Sequence, residues 1–232
     1  MTSAVILAGQ SNMLGHGQLS DLADSTLPAG ARLFDLNPRP GCFGPEVGFA
    51  RRLLELMPLD ELWLIKYAVG GTSLFAWEPD WSAQRAAAIG QAEHGPLYQH
   101  LLKHCRHTML GTDFDVMACL WMQGESDSRH GQAAAQYESN LRRFVARLRY
   151  DLQQPDLPFI AGLVNPPAAI WDYVSVVRNA QCAVAKASAN VMLVDTDRLS
   201  KLEDDLHYDS AGQLELGRRF ADRLYQHLGN TR

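Results

Sequence analysis

Residues 4–13 read Ala4-Val5-Ile6-Leu7-Ala8-Gly9-Gln10-Ser11-Asn12-Met13, and this stretch decides the fold. Residues 4–8 are an apolar run of strand length that ends at a glycine. A strand that is apolar on both alternations is covered on both faces, as in a parallel sheet between helix layers. Gly9 opens a turn, and the turn carries Ser11. The rigid strand fixes the backbone there, and the turn projects the serine into a cleft at the sheet edge. The second glycine of the G-x-S-x-G elbow is missing. A turn serine that bonds its own backbone is the competing reading.

Further strands are predicted at 62–68, 116–122, 159–164 and 191–194. Between the last strands lie helical patterns. Tyr137, Leu141, Phe144 and Leu148 recur at three- and four-residue spacing within 131–150, as do Gly217, Phe220, Leu224 and Leu228 within 210–228. Pro96 marks the first turn of a helix that runs to about residue 110. Interleaved strands and helices predict an α/β fold, a three-layer sandwich around a five-stranded parallel sheet. Ligands in such folds bind at the carboxyl ends of the strands. Residues 19–45 and 71–95 read as long loops beside that edge. Trp77, Pro79 and Trp81 in the second loop serve either a substrate or an anchor on the protein body.

The residues at those strand ends form a chemical set. In Asp204-Asp205-Leu206-His207, one turn brings the Asp204 carboxylate beneath the His207 imidazole. The acid would hold the Nδ1 proton and leave Nε2 to take a proton from a serine. The competing reading is an exposed acidic turn before a helix capped by Ser210 and Gln213. Residues 66–74 run a strand into Gly70-Gly71, whose backbone N–H groups can approach a ligand closely. Trp121-Met122-Gln123-Gly124-Glu125-Ser126-Asp127 puts a side-chain amide, Gln123, at a third strand end. A nucleophile, a backbone donor and an amide donor are the parts of an acyl-transfer site with an oxyanion hole.

In order, these segments resemble the four blocks of the SGNH hydrolases. More closely, they resemble the sialate O-acetylesterase-like branch, which includes the acetylxylan esterases of the sixth carbohydrate esterase family. The matching pieces are Gly9-Gln10-Ser11-Asn12-Met13, Gly70-Gly71-Thr72-Ser73, Trp121 to Asp127, Val177-Arg178-Asn179-Ala180-Gln181, and Asp204-x-x-His207. The resemblance implies a flavodoxin-like SGNH hydrolase fold over 1–232 as one domain. It implies Ser11 as nucleophile, His207 as base and Asp204 as its orienter. Oxyanion donors would be the Ser11 and Gly70 backbones and the Gln123 side chain, where the common SGNH pattern has Asn. Glu125 stands in a Gln-Gly-Glu motif and is a second candidate to support the histidine. Gln10, Asn12, Gly71 and Trp77 are the expected substrate-binding residues. The implied activity is removal of acetyl groups from carbohydrate hydroxyls, with no cofactor. An acyltransferase on the same machinery and a non-catalytic carbohydrate-binding protein are the alternatives.

Composition narrows the partners. The 232 residues carry a net charge of −5, which argues against a nucleic-acid footprint. No apolar run is long enough to span a bilayer. The chain enters its first strand almost at once, so a cytoplasmic location is expected, although a processed secreted form would read the same. Cys42, Cys105, Cys119 and Cys182 are scattered, without a C-x-x-C pair, and suit a reducing compartment. His100, His104 and His107 share one helical face, but Lys103 beside them opposes a metal ion. The expected partner is a small-molecule or oligosaccharide acetyl ester, with oligomeric state left open.

Overall fold

A computed structural model describes residues 2–230. Its first strand, β1 (Thr2–Gly9), is buried along its whole length. It lies between β5 (Leu62–Ala68) and β6 (Phe114–Met122), in parallel with both. β7 (Phe159–Gly162) and β8 (Val191–Val194) continue the sheet beyond β6. These five strands are the ones expected from sequence. Their order, β5-β1-β6-β7-β8, is the doubly wound flavodoxin-like arrangement, with its switch point at β1.

A sixth strand corrects the reading of 19–45 as loop. β3 (Ala31–Asp35) pairs in parallel with β5 at the sheet edge. Only one neighbour covers it, and its residues are half-buried or exposed. It therefore lacks the continuous apolar run that marks the central strands. The same segment holds β2 (Gly17–Gln18) and β4 (Cys42–Phe43), a separate two-stranded antiparallel sheet.

Helices cover both faces. α2 (Pro45–Leu56) packs on α7 (Ser210–Asn230), and α5 (Gly131–Asp151) packs on α6 (Val174–Ala187). α4 (Leu97–Thr108) lies against β5, and α3 (Ala83–Ala87) is short. Asp209, rather than Ser210, caps α7: its carboxylate accepts the Gly212 N–H at 2.8 Å.

One polar knot lies inside the apolar body. Lys66 on β5 is 2% exposed. Its Nζ donates to Leu14 O and to Glu46 Oε2, both at 2.9 Å, and lies 3.3 Å from Asp35 Oδ2. Glu46 in turn accepts the Gly44 N–H at 2.7 Å. The ammonium thus ties β3, β5 and α2 to the end of the turn that carries Ser11. Removing Lys66 would leave both carboxylates without their counter-ion, and breaking a buried pair in this way costs about 3–5 kcal/mol.

The α2–α7 crossing depends on absent side chains. A Cβ on Gly217 would stand 2.1 Å from Pro45 O and 2.4 Å from Phe49 N, backbone atoms that cannot step aside. In an exposed helix interior, Gly→Ala gains roughly 1 kcal/mol. Here overpacking, about 1–3 kcal/mol or more, reverses the sign. Gly217→Ala is expected to lower the thermal midpoint; a raised midpoint would show that the helices do not approach this closely.

Candidate active site

A cleft of about 360 Å³ opens at the carboxyl ends of β1, β5 and β6, with Gln10, Ser11, Gly70, Gly71, Glu125 and His207 on its walls. Ser11 begins α1 (Ser11–Leu14), a single helical turn after β1. Gly9 makes that turn possible. Its φ is +149°, and a Cβ there would lie 2.0 Å from Met122 O on β6. Met13 and Leu14 donate to Gln10 O. Among the described residues, the N–H groups of Ser11 and Gly70 have no acceptor within the fold. A Cβ on Gly70 would sit 3.7 Å from Ser11 Cβ, so the two turns are neighbours.

His207 comes from the loop after β8. Asp204 shapes that loop: its Oδ1 accepts the N–H groups of Leu206 and His207, each at 2.9 Å. Its Oδ2 meets His207 Nδ1 at 2.5 Å. An ionised carboxylate there selects the tautomer with the proton on Nδ1 and leaves Nε2 free. Burial works to raise the Asp204 pKa, but the hydrogen bonds from His207 and Leu206 outweigh it and hold the carboxyl at about 2. Asp204 is therefore ionised at neutral pH.

Asn12 joins the two halves of the cleft. Its Nδ2 donates to Glu125 Oε1 at 2.8 Å and to Leu206 O at 3.2 Å. Its Oδ1 accepts the Tyr208 N–H at 3.0 Å. The residues on either side of His207 are thus held by the neighbour of Ser11. With its amide fully engaged, Asn12 is a tie between segments and not the substrate contact expected from sequence. Glu125 is corrected in the same way. It is 2% exposed, with one oxygen on Asn12, and shares no hydrogen bond with His207. Burial pushes its pKa up, opposed by the Asn12 hydrogen bond.

Gln123 departs furthest from expectation. Its side chain is wholly buried. Its Nε2 donates to Asp127 Oδ2 at 2.5 Å, to Thr72 O at 3.0 Å and to Gln10 Oε1 at 3.3 Å. That amide fastens the β6 end to the Gly70 loop and is not a free oxyanion donor. Asp127 completes the fastening by accepting from Leu74 N and from Ser73 Oγ at 3.0 Å. Burial raises the Asp127 carboxyl to about 6 against these bonds. Gln181, from the fourth matching block, holds the neighbouring end of β7, donating to Gly162 O and accepting from Val164 N, both at 3.1 Å.

Gln10 does reach the cleft. Its Oε1 accepts the N–H groups of Gly124 and Ser126 as well as the Gln123 amide, which leaves Nε2 as its unengaged end among the described residues. Trp77 does not reach it. The indole is wholly buried, donates to Thr72 Oγ1 at 3.1 Å and packs edge-on to Trp121. It anchors the loop, the second of its two sequence readings.

The cleft also contains residues that the sequence did not single out: His16, Arg39, Arg129 and Trp171. The Arg129 guanidinium lies 5.3 Å from the Trp171 ring centre. His16 stacks on His207. Burial above all, then the charges of His207 and Arg39, lowers the His16 pKa to about 4, with Asp204 pulling the other way. His16 is therefore neutral at pH 7. Trp171 had a signal, an aromatic in a proline-rich loop after a strand; the other three had none at the level of spacing. His100, His104 and His107 line a separate surface cavity of about 280 Å³. His104 Nε2 contacts Phe34 O, and among the described residues no group of three His, Cys, Asp or Glu side chains is placed to hold a metal ion. No helix among them is long and apolar enough to cross a membrane.

The chain is similar in sequence and in fold to known carbohydrate esterases. Residues 28–226 match the family model described as carbohydrate esterase, sialic acid-specific acetylesterase. The Arabidopsis thaliana protein named "Probable carbohydrate esterase At4g34215" is 30% identical over 176 residues. That alignment takes in 75% of this chain and 60% of the relative. The crystal structure of the Arabidopsis protein superposes with a TM-score of 0.78 at 25% identity, over 97% of this chain and 98% of that one. NanS superposes at 0.73 with 17% identity, covering 99% and 98%. XAC1771, a carbohydrate acetylesterase from Xanthomonas citri, gives 0.77 with 17% identity, covering 99% of this chain and 57% of that one. Strand order, strand-end blocks and family model converge: the chain belongs to the carbohydrate esterase family of sialic acid-specific acetylesterases.

Proposed function

We propose that this chain is a serine esterase that removes acetyl groups from carbohydrate hydroxyls. The observation that carries the reading is one cleft holding Ser11 at a strand end and His207 with its Nδ1 on Asp204 at 2.5 Å. Ser11 Oγ attacks the acetyl carbonyl while His207 Nε2 takes its proton. The tetrahedral oxyanion meets the free N–H groups of Ser11 and Gly70, with Gln10 Nε2 beside them. Collapse breaks the ester bond, and the imidazolium returns the proton to the departing sugar oxygen. Water, deprotonated by the same Nε2, then releases acetate and restores Ser11. The cleft volume suits one sugar unit. Arg39 and Arg129 on its walls favour a sugar bearing a carboxylate, which accords with the family's description.

Three outcomes test this. Ser11→Ala is expected to keep the fold and lose turnover of p-nitrophenyl acetate by roughly 10⁴–10⁶. Retention of a substantial fraction of the parent rate would remove Ser11 from the role of nucleophile. Asp204→Ala is expected to cost far more in kcat than Glu125→Ala, because of the two carboxylates only Asp204 shares a hydrogen bond with the imidazole. In the double mutant the two losses should be sub-additive, since both act through one histidine. A larger loss at Glu125 would reverse the assignment. Dialysis against EDTA should leave activity unchanged; loss restored by zinc would bring the His100, His104 and His107 face back into consideration.

A further inference from the structure

His16 has no step in the reaction above, yet it makes the only ring contact on His207 among the described residues. The two imidazoles lie 23° from parallel with centroids 4.0 Å apart. The Asp204 hydrogen bond fixes one ring atom, Nδ1, and leaves the ring free to swing about it. A flat group packed on the ring face removes that freedom.

His16 is itself held in place. It sits between α1 and β2, whose Gly17 pairs with Phe43 of β4. Its backbone carbonyl accepts from Gln18 Nε2 at 3.1 Å. Arg39 Nη1 lies 2.8 Å from His16 Nδ1 and 3.1 Å from Nε2. An atom in the ring plane at both distances would collide with Cε1, so the guanidinium lies over the ring rather than at its edge. A neutral His16 also suits the chemistry. During attack His207 becomes a cation, and a neutral aromatic face attracts a cation where a second imidazolium would repel it.

We propose that His16 is a positioning residue: its ring, stacked on His207 and steadied by Arg39, holds the imidazole at the tilt needed for proton exchange with Ser11. The proposal rests on the reading of His207 as the base. The test uses His16→Ala, which removes the face, and His16→Phe, which keeps it without a titrating group. His16→Ala is expected to lower kcat on p-nitrophenyl acetate roughly 10–100-fold, the scale of a small misplacement of a catalytic group, with KM near the parent value. His16→Phe should recover most of that loss. Carbethoxylation of His207 by diethyl pyrocarbonate, followed by peptide mass, should run several-fold faster in His16→Ala and return to the parent rate in His16→Phe. Unchanged kcat in His16→Ala, a loss confined to KM, or a Phe variant no better than Ala would overturn the proposal. Failure of the esterase reading would appear separately, as turnover surviving in Ser11→Ala. The carbethoxylation rates do not depend on turnover and would still decide whether His16 holds the ring.

Discussion

The carboxamide of Asn12 is the contact on which the rest of the site depends. Its two polar atoms reach three places: Glu125 at the end of β6, Leu206 O and Tyr208 N. The last two flank His207, and Tyr208 is 196 residues along the chain from Asn12. Each such hydrogen bond contributes only about 1 kcal/mol net, but each buried group left unsatisfied costs about 1–3 kcal/mol. The bracket therefore specifies geometry more than it adds stability. It also gives the buried Glu125 carboxylate a task, as the acceptor that orients the amide.

Around this bracket the polar residues divide into two groups. Gln123, Asp127, Gln181 and Asn12 spend their hydrogen bonds inside the protein, fastening strand ends to one another. Among the described residues, Ser11, Gly70 and Gln10 retain unengaged donors at the cleft wall. An amide that must hold a loop cannot also wait for a developing negative charge. That competition is why the Gln123 side chain is the fastener here while Gln10, one residue before the serine, faces the cleft.

The central sheet was legible because its strands are covered on both faces and read as unbroken apolar runs. β3 was not, since an edge strand with exposed Leu33 carries no such run. The site was legible where chemistry is local: Ser11 sits at a strand end, and Asp204 reaches His207 within one turn. It was not legible where roles depend on which way a side chain faces. Trp77 and Trp171 are both tryptophans in loops at the sheet edge, yet one is a core anchor and the other lines the cleft. Spacing along the chain cannot separate them, because packing against Trp121 decides the first and proximity to Arg129 the second. His16 and Arg39 were invisible for a similar reason. They meet only because β2 and β4, two residues each, pair across a long excursion.

The position of β1 in the sheet bears on how the chain is made. β1 precedes its two neighbours, β5 and β6, by dozens of residues, yet it lies between them. During synthesis its apolar run waits for partners that the ribosome has not yet delivered. At about 5–20 residues per second, residues 10–113 between β1 and β6 take on the order of 5–20 s to emerge. Until β5 follows, the segment that will become the sheet's centre is an apolar strand with no partner, and until β6 follows one of its edges stays open, the kind of exposed edge that promotes association. The half of the site that bears Ser11 is thus the earliest to leave the ribosome and among the last to acquire its final surroundings.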